Sequence, residues 1–327
     1  MPITRRSIPG LAAGALLARP AVLRAPGAFP TRQVRIVVPY PPGGGVDVMA
    51  RALAEALGRA WGQAVAVDNR PGGNTIPGVE HVARAPADGH VLLLTSDSSI
   101  TSNPHLYATL PVDPIRDLAP VTLLAEVHQM VIVHPGVAAR DMAGLATAAR
   151  ARPGQLNYGS YGAGSQPQLF FEALKAEQRL DIVHVPYRGL APALQATIAG
   201  EVQMTLAGAG IAGPHLAAGT LRALAIGREA RLPSLPEVPT LAEAGLGAMD
   251  PRTWFGLFAP GGTPPATLLA LQAAVAAVMG EPAFAARHVT GRGMSGHANT
   301  PEAFAAFIVA DLADKGRLIR LSGARVE

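Results

Sequence analysis

The residues best placed for chemistry lie in two glycine-rich stretches, Pro41-Pro42-Gly43-Gly44-Gly45-Val46-Asp47 and Gly159-Ser160-Tyr161-Gly162-Ala163-Gly164-Ser165. Each separates a strand-like apolar run from a run with helical spacing. Each would therefore present free backbone N–H groups at a helix N-terminus, which can hold an anion without a charged side chain. Gly43, Gly44 and Gly45 let the backbone approach a ligand, and Asp47 can cap the following helix. Ser160 and Ser165 add hydroxyl donors to the second stretch, with Ser165 at the N-cap position before Gln166-Pro167. An ordinary turn before a capped helix has the same composition. The occurrence of two such loops, far apart in the chain, suggests two half-sites facing one small anion. A third polar cluster, Thr95-Ser96-Asp97-Ser98-Ser99, follows a strand and belongs at the carboxyl edge where open α/β sheets bind ligands, unless it only caps the next segment.

Several chemistries lack their residues. There is no G-x-x-x-x-G-K-[ST], and the two lysines, Lys175 and Lys315, follow neither loop. Neither loop has the G-x-G-x-x-G order, which removes the dinucleotide fingerprint. Tyr158 stands where a G-x-S-x-G nucleophile elbow requires glycine. The histidines are scattered without metal-ligand spacing, so neither a metal nor a cofactor is expected. Arg188, in Tyr187-Arg188-Gly189, can meet a carboxylate or simply be solvated, and Trp254 and Phe255 can line a cleft or fill a core.

The elements that must position these residues alternate between strand and helix. Val34–Val38, Ala64–Val67 and Val91–Thr95 read as strands, with helices after the first loop and over Ile76–Arg84. Continuously apolar strands separated by helices indicate a parallel sheet covered on both faces. A second α/β series begins after two apolar runs that flank Glu126-Val127-His128. It contains helices at Gln168–Glu177 and Ala191–Ile198 and strands at Leu156–Tyr158, Ile182–Val185, Val202–Leu206 and Leu221–Ile226. The strand Trp254–Phe258 and helices at Ala266–Met279 and Pro301–Leu321 then return the chain to its first domain. The expected fold is two-lobed α/β, each lobe a mostly parallel sheet flanked by helices, joined by two crossing strands. One lobe comprises 29–126 with 250–327, and the other 127–249.

With 327 residues, 49% hydrophobic and 15% charged, the chain can bury two cores. Arg5-Arg6, a weakly apolar run and small residues up to Phe29 read as an export signal over 1–28, resembling the twin-arginine type, with cleavage near Ala25 or Ala28. Four of the 27 basic residues precede that cut, leaving 23 against 23 acidic ones. The net +4 therefore carries no footprint of nucleic acid. The absence of cysteine rules out disulfides, thiolate metal ligands and a lipidated cysteine anchor.

The chain resembles the periplasmic solute-binding proteins of tripartite tricarboxylate transporters, also called the TctC or Bug family. The resemblance is carried by Tyr40-Pro41-Pro42-Gly43-Gly44-Gly45-Val46-Asp47, Asp68-Asn69-Arg70-Pro71-Gly72, Ala85-Pro86-Ala87-Asp88-Gly89-His90, Leu156-Asn157-Tyr158-Gly159-Ser160, His184-Val185-Pro186-Tyr187-Arg188-Gly189, Leu221-Arg222-Ala223-Leu224-Ala225 and Trp254-Phe255-Gly256-Leu257. It implies a Venus-flytrap protein, located in the periplasm and expected to be a monomer, that presents a small carboxylate to membrane permease subunits. Carried over by motif, it places Gly44, Gly45 and Asp47 on one side of the ligand and Ser160, Gly164 and Ser165 on the other. Ser98 and Ser99 should close the pocket, and Tyr40 and Tyr187 complete the set. Many members have an acidic residue where this chain has Ala207, which points away from an amino-acid ligand. The competing readings are an exported serine hydrolase using Ser160 or Ser165, and a binding protein that signals to a membrane receptor.

Overall fold

The computed structural model describes residues 29–247 and 249–324; the export signal expected over 1–28 lies outside them. In chain order, β1 (Val34–Val38) leads into α1 (Gly45–Trp61), followed by β2 (Val65–Asn69), α2 (Ile76–Ala83), β3 (Val91–Ser96), a π-type turn at Ser98–Ser102 and α3 (Asn103–Leu106). After β4 (Leu118–Val133) come α4 (Met142–Ala151), β5 (Leu156–Ser160), α5 (Gln166–Gln178), β6 (Ile182–Pro186), α6 (Leu190–Ala199), β7 (Met204–Gly208), α7 (Ala209–Ala217) and β8 (Arg222–Ile226). The chain finishes with β9 (Arg252–Pro260), α8 (Pro265–Gly280), α9 (Pro282–His288), β10 (Met294–Gly296) and α10 (Pro301–Ser322).

Local sequence explains most of these elements. In α1, Val46, Met49, Leu53 and Leu57 recur at helical spacing and are buried, and Gly62 ends the helix in the left-handed conformation. In β3, Leu92 and Leu94 enter one core and Leu93 the core on the opposite face, which is why the run has no polar alternation. Each such leucine contributes roughly 1.5–3 kcal/mol on burial. Helix α10 starts at Pro301, with the Thr300 hydroxyl accepting from the Ala303 N–H.

The strands form two sheets that share β4. In the first the order is β2-β1-β3-β9-β4-β10, with β1 parallel to β2 and β3 and the remaining pairs antiparallel. In the second, β7 and β8 both pair with β4, and β5 lies parallel between β7 and β6. The handover falls between His128, paired with Arg252, and Gln129, paired with Gly208. The two apolar runs flanking Glu126-Val127-His128 are thus one strand of 16 residues. The described residues of the return connection, 227–247 and 249–251, are loop and turn apart from a single bridge of Thr240 to Ile226, and β9 belongs to the first sheet alone.

Candidate functional site

A narrow cavity lies where the two sheets face each other across the handover in β4. It offers about 60 Å³ to the centre of a water molecule, room for a small organic molecule rather than a single water. The first lobe lines it with Tyr40, Gly44 and Gly45, Ser96 at the end of β3, Thr253 and Phe255 of β9, and Arg292 and Met294. From the other side come Gln129, Tyr161, Leu190 at the start of α6, and Gly208, Gly210 and Ile211 around the start of α7.

Three helices begin at this cavity, and each has a glycine N-cap with no side chain bonded over its first turn: Gly44 for α1, Gly189 for α6 and Gly208 for α7. Their leading N–H groups are left to whatever occupies the cavity, and their dipoles favour negative charge. Glycine is required at two of these starts for different reasons. Gly189 has φ of 131°, and its Cβ would meet the Pro41 ring at 2.9 Å across the cleft. A Cβ on Gly210 would lie 2.5 Å from Arg292 Cβ.

Neutral hydroxyls form the other polar surface. The Tyr40 hydroxyl and Ser96 Oγ are 2.8 Å apart. The Tyr161 hydroxyl accepts from Gln129 Nε2 at 3.1 Å and lies beside Thr253. Gln129 is buried, and its Oε1 has no partner among the described residues. Burial, with the nearby Asp97 charge adding to it, raises the Tyr40 hydroxyl above its ordinary pKa and Tyr161 well above. Both therefore remain O–H donors at any physiological pH. Asp97 itself sits behind the cavity, accepting from Thr253 Oγ1 and lying 2.7 Å from Lys315 Nζ. Burial alone would lower the Lys315 pKa, but Asp97 and Asp311 raise it. Lys315 also donates to Gln166 Oε1 on α5 of the second lobe at 2.7 Å.

Arg292 is the one charged side chain lining the cavity among the described residues. Its Nε is buried without a partner, which costs on the order of 1–3 kcal/mol or more for a charged donor.

Of the residues carried over by the family resemblance, Tyr40, Gly44 and Gly45 line the cavity, as do Ser96 and Phe255 from the other sequence candidates, and Asp47, Ser98, Ser99, Ser160, Gly164, Ser165, Tyr187 and Ala207 do not. Asp47 accepts from the Gly43 N–H at 2.9 Å, Arg51 Nε at 3.0 Å and Asn69 Nδ2 at 2.8 Å. Burial alone would raise its pKa, but these donors hold it below the usual carboxylate value. Ser98 and Ser99 lie in the turn behind Tyr40, with Ser99 Oγ 2.5 Å from Thr95 Oγ1. The Gly164 N–H donates to Gln168 Oε1 at 2.6 Å, and Ser165 Oγ donates to the Gly162 carbonyl at 2.6 Å. Ala207 is buried in β7 opposite Met130, and the Tyr187 N–H donates to the Ser160 carbonyl at 2.8 Å. Ser160 Oγ is 2.6 Å from His184 Nε2. Ser160 has no exposed surface, and the far side of the imidazole faces the Gln168 amide at 3.5 Å rather than a carboxylate. That pair packs a strand end and offers a substrate no approach.

Gln129, Tyr161, Leu190, the α7 start and Arg292 complete the cavity beyond the expected set. The α7 start had a readable signal, since Ala207-Gly208-Ala209-Gly210 follows a strand as the other two glycine loops do. Arg292 had none, because it sits on the short turn Thr290–Arg292 between α9 and β10.

Comparison with known proteins agrees with this architecture. The protein BugT of Bordetella pertussis is 31% identical over 300 residues, covering 91% of this chain and 92% of BugT. A structure of R. palustris Rpa4515 with adipate superposes with a TM-score of 0.87 at 32% identity, over 91% of this chain and 99% of that one. MatC from Rhodopseudomonas palustris with bound malate gives 0.83 at 29% identity, over 89% and 100%. The family model for the tripartite tricarboxylate transporter family receptor matches residues 49–323. The chain belongs to that receptor family, whose members are periplasmic solute-binding proteins.

Proposed function

We propose that the protein captures a small organic carboxylate in the periplasm between lobes formed by 29–126 with 250–327 and by 127–249, and delivers it to the membrane permease subunits of a tripartite transporter. The observation that carries this reading is the convergence of three N-termini, on α1, α6 and α7, upon a cavity that no carboxylate lines among the described residues. Adipate and malate in two similar proteins are the kind of ligand such a surface accepts. Micromolar affinity corresponds to about 8 kcal/mol, and each hydrogen bond to a charged group contributes about 1.5–3 kcal/mol net. A few N–H and O–H donors in a closed, partly apolar cavity reach that range after the cost of ordering the ligand. Binding without turnover fits a cavity whose hydroxyls, Ser96 included, have no histidine or carboxylate beside them among the described lining residues to activate them.

Isothermal calorimetry against mono-, di- and tricarboxylates tests the reading. At least one is expected to bind one-to-one, with a fall in radius of gyration by small-angle scattering at saturation. Silence across the whole panel would remove the proposal.

A further inference from the structure

We propose that Arg292 reads a second anionic group on the ligand, so that the cavity selects an aliphatic dicarboxylate over a monocarboxylate of the same length. This rests on the capture reading above and adds to it the ligand's second charge and the residue that senses it.

Sheet order separates the two polar regions of the cavity. Across the first sheet the strands run β3, β9, β4, β10, and they carry in turn Ser96, Thr253 with Phe255, Val127, and Met294. Thr253, Val127 and Met294 form one cross-strand row. The hydroxyl cluster therefore lies at the β3 side, and Arg292, two residues before Met294, at the β10 side. Three strand spacings of about 4.8 Å put roughly 14 Å of backbone between those sides. An arginine reaching inward narrows this to the length of a short extended chain. Phe255 and Val127 occupy the interval, so the stretch between the two polar ends is apolar, as a methylene spacer requires.

Arg292 is the one arginine with a buried guanidinium nitrogen left without a partner among the described residues. Arg51 is 2.9 Å from Asp47 and Arg252 is 2.9 Å from Glu126. Among the described residues Arg292 has neither an ion pair nor a side-chain hydrogen bond, although its Nε is shut off from water. Its Cβ packs where a side chain on Gly210 would stand, beside the start of α7. A planar fork held there without a partner matches the two oxygens of a carboxylate. The hydroxyls and the α1 N-terminus serve the first carboxylate, and Arg292 the second.

The test is calorimetry on the whole protein with glutarate, adipate and pimelate, each beside its monomethyl ester. The wild type is expected to bind its preferred diacid about tenfold to a hundredfold more tightly than the matching ester. Arg292→Gln should bring the two to equal affinity at the ester's level. Arg292→Lys, which keeps the charge but loses the fork, should retain part of the preference and supplies the reading if the glutamine variant unfolds. An undiminished preference in both variants overturns the role of Arg292, as does a wild type that binds acid and ester equally. A wild type that binds none of the six compounds but binds another carboxylate of the wider panel overturns the inference and leaves the capture reading standing; silence across the wider panel as well overturns both.

Discussion

Asp47 is gripped by three donors and does not line the cavity, yet it sets the turn that brings Gly44 there. Replacing it with Asn leaves the Arg51 guanidinium without its anion and weakens the Gly43 contact. A loss of about 1–3 kcal/mol in urea unfolding is expected, together with weaker ligand binding. The pH dependence has a definite sign. The folded-state pKa of Asp47 is depressed, so its stabilisation is fully present above about pH 4, the unfolded value, and disappears as pH falls through the lower folded value. The stability gap between wild type and Asp47→Asn should therefore narrow in melts taken from pH 7 down to pH 3. Tyr161→Phe removes a hydroxyl from the cavity and the acceptor of Gln129 Nε2. Calorimetry should show affinity about tenfold lower, and urea unfolding a loss of about 1–3 kcal/mol from the buried Gln129 amide left unpaired. From the sequence alone, Asp47 could be recognised as a polar residue at a loop, but not as a brace. Capping a helix and contacting a ligand call for the same residue types, and only the third dimension separates them. Arg292 was harder still, because neither periodicity nor a glycine loop marks the turn that carries it.

The element that recurs at the cavity is a strand followed by glycine and then a helix. Where that unit had a long apolar run on each side, as in β1 and α1, periodicity was enough to find it. Helix α7 escaped because it has nine residues, two of them Gly210 and Gly213, with Pro214 inside. Strand β4 looked like two runs because Glu126 and His128 interrupt the apolar sequence. Glu126 is paired with Arg252 at 2.9 Å and with His297 at 3.0 Å, and the His128 ring bonds to Ser295 at 3.0 Å and to the Gly227 carbonyl at 3.2 Å. The structure satisfies these polar side chains, which a hydropathy pattern cannot anticipate. The glycine starts also yield a prediction at this scale. Gly189→Ala introduces a Cβ against Pro41 on the opposite lobe and forces a backbone with φ of 131° on an alanine. Binding should fall by at least tenfold, and small-angle scattering with saturating ligand should show incomplete compaction.

At the scale of the molecule, the lobes meet through a buried charge network as well as through β4. Lys315 lies between Asp97 and Asp311 and reaches Gln166 on the facing lobe. Lys315→Met strips the compensating cation from buried Asp97 and half-buried Asp311 and should cost about 3–5 kcal/mol in global stability, measured by calorimetric melting at pH 7. The two-lobed plan was legible in the sequence because each half carries its own alternating series of strands and helices. The pairing order of the strands was not, because register and neighbours depend on contacts distant in the chain. That order has a consequence for synthesis. Strand β9 fills the slot between β3 and β4, so the first sheet cannot close until residue 260 has left the ribosome. The strands β5 to β8 are all made earlier; β7 and β8 find β4 already present, and β5 pairs with β6 and β7. The lobe that begins the chain is therefore the last to be finished, and a nascent protein stalled before β9 would display β3 and β4 as two open strand edges for a chaperone to cover.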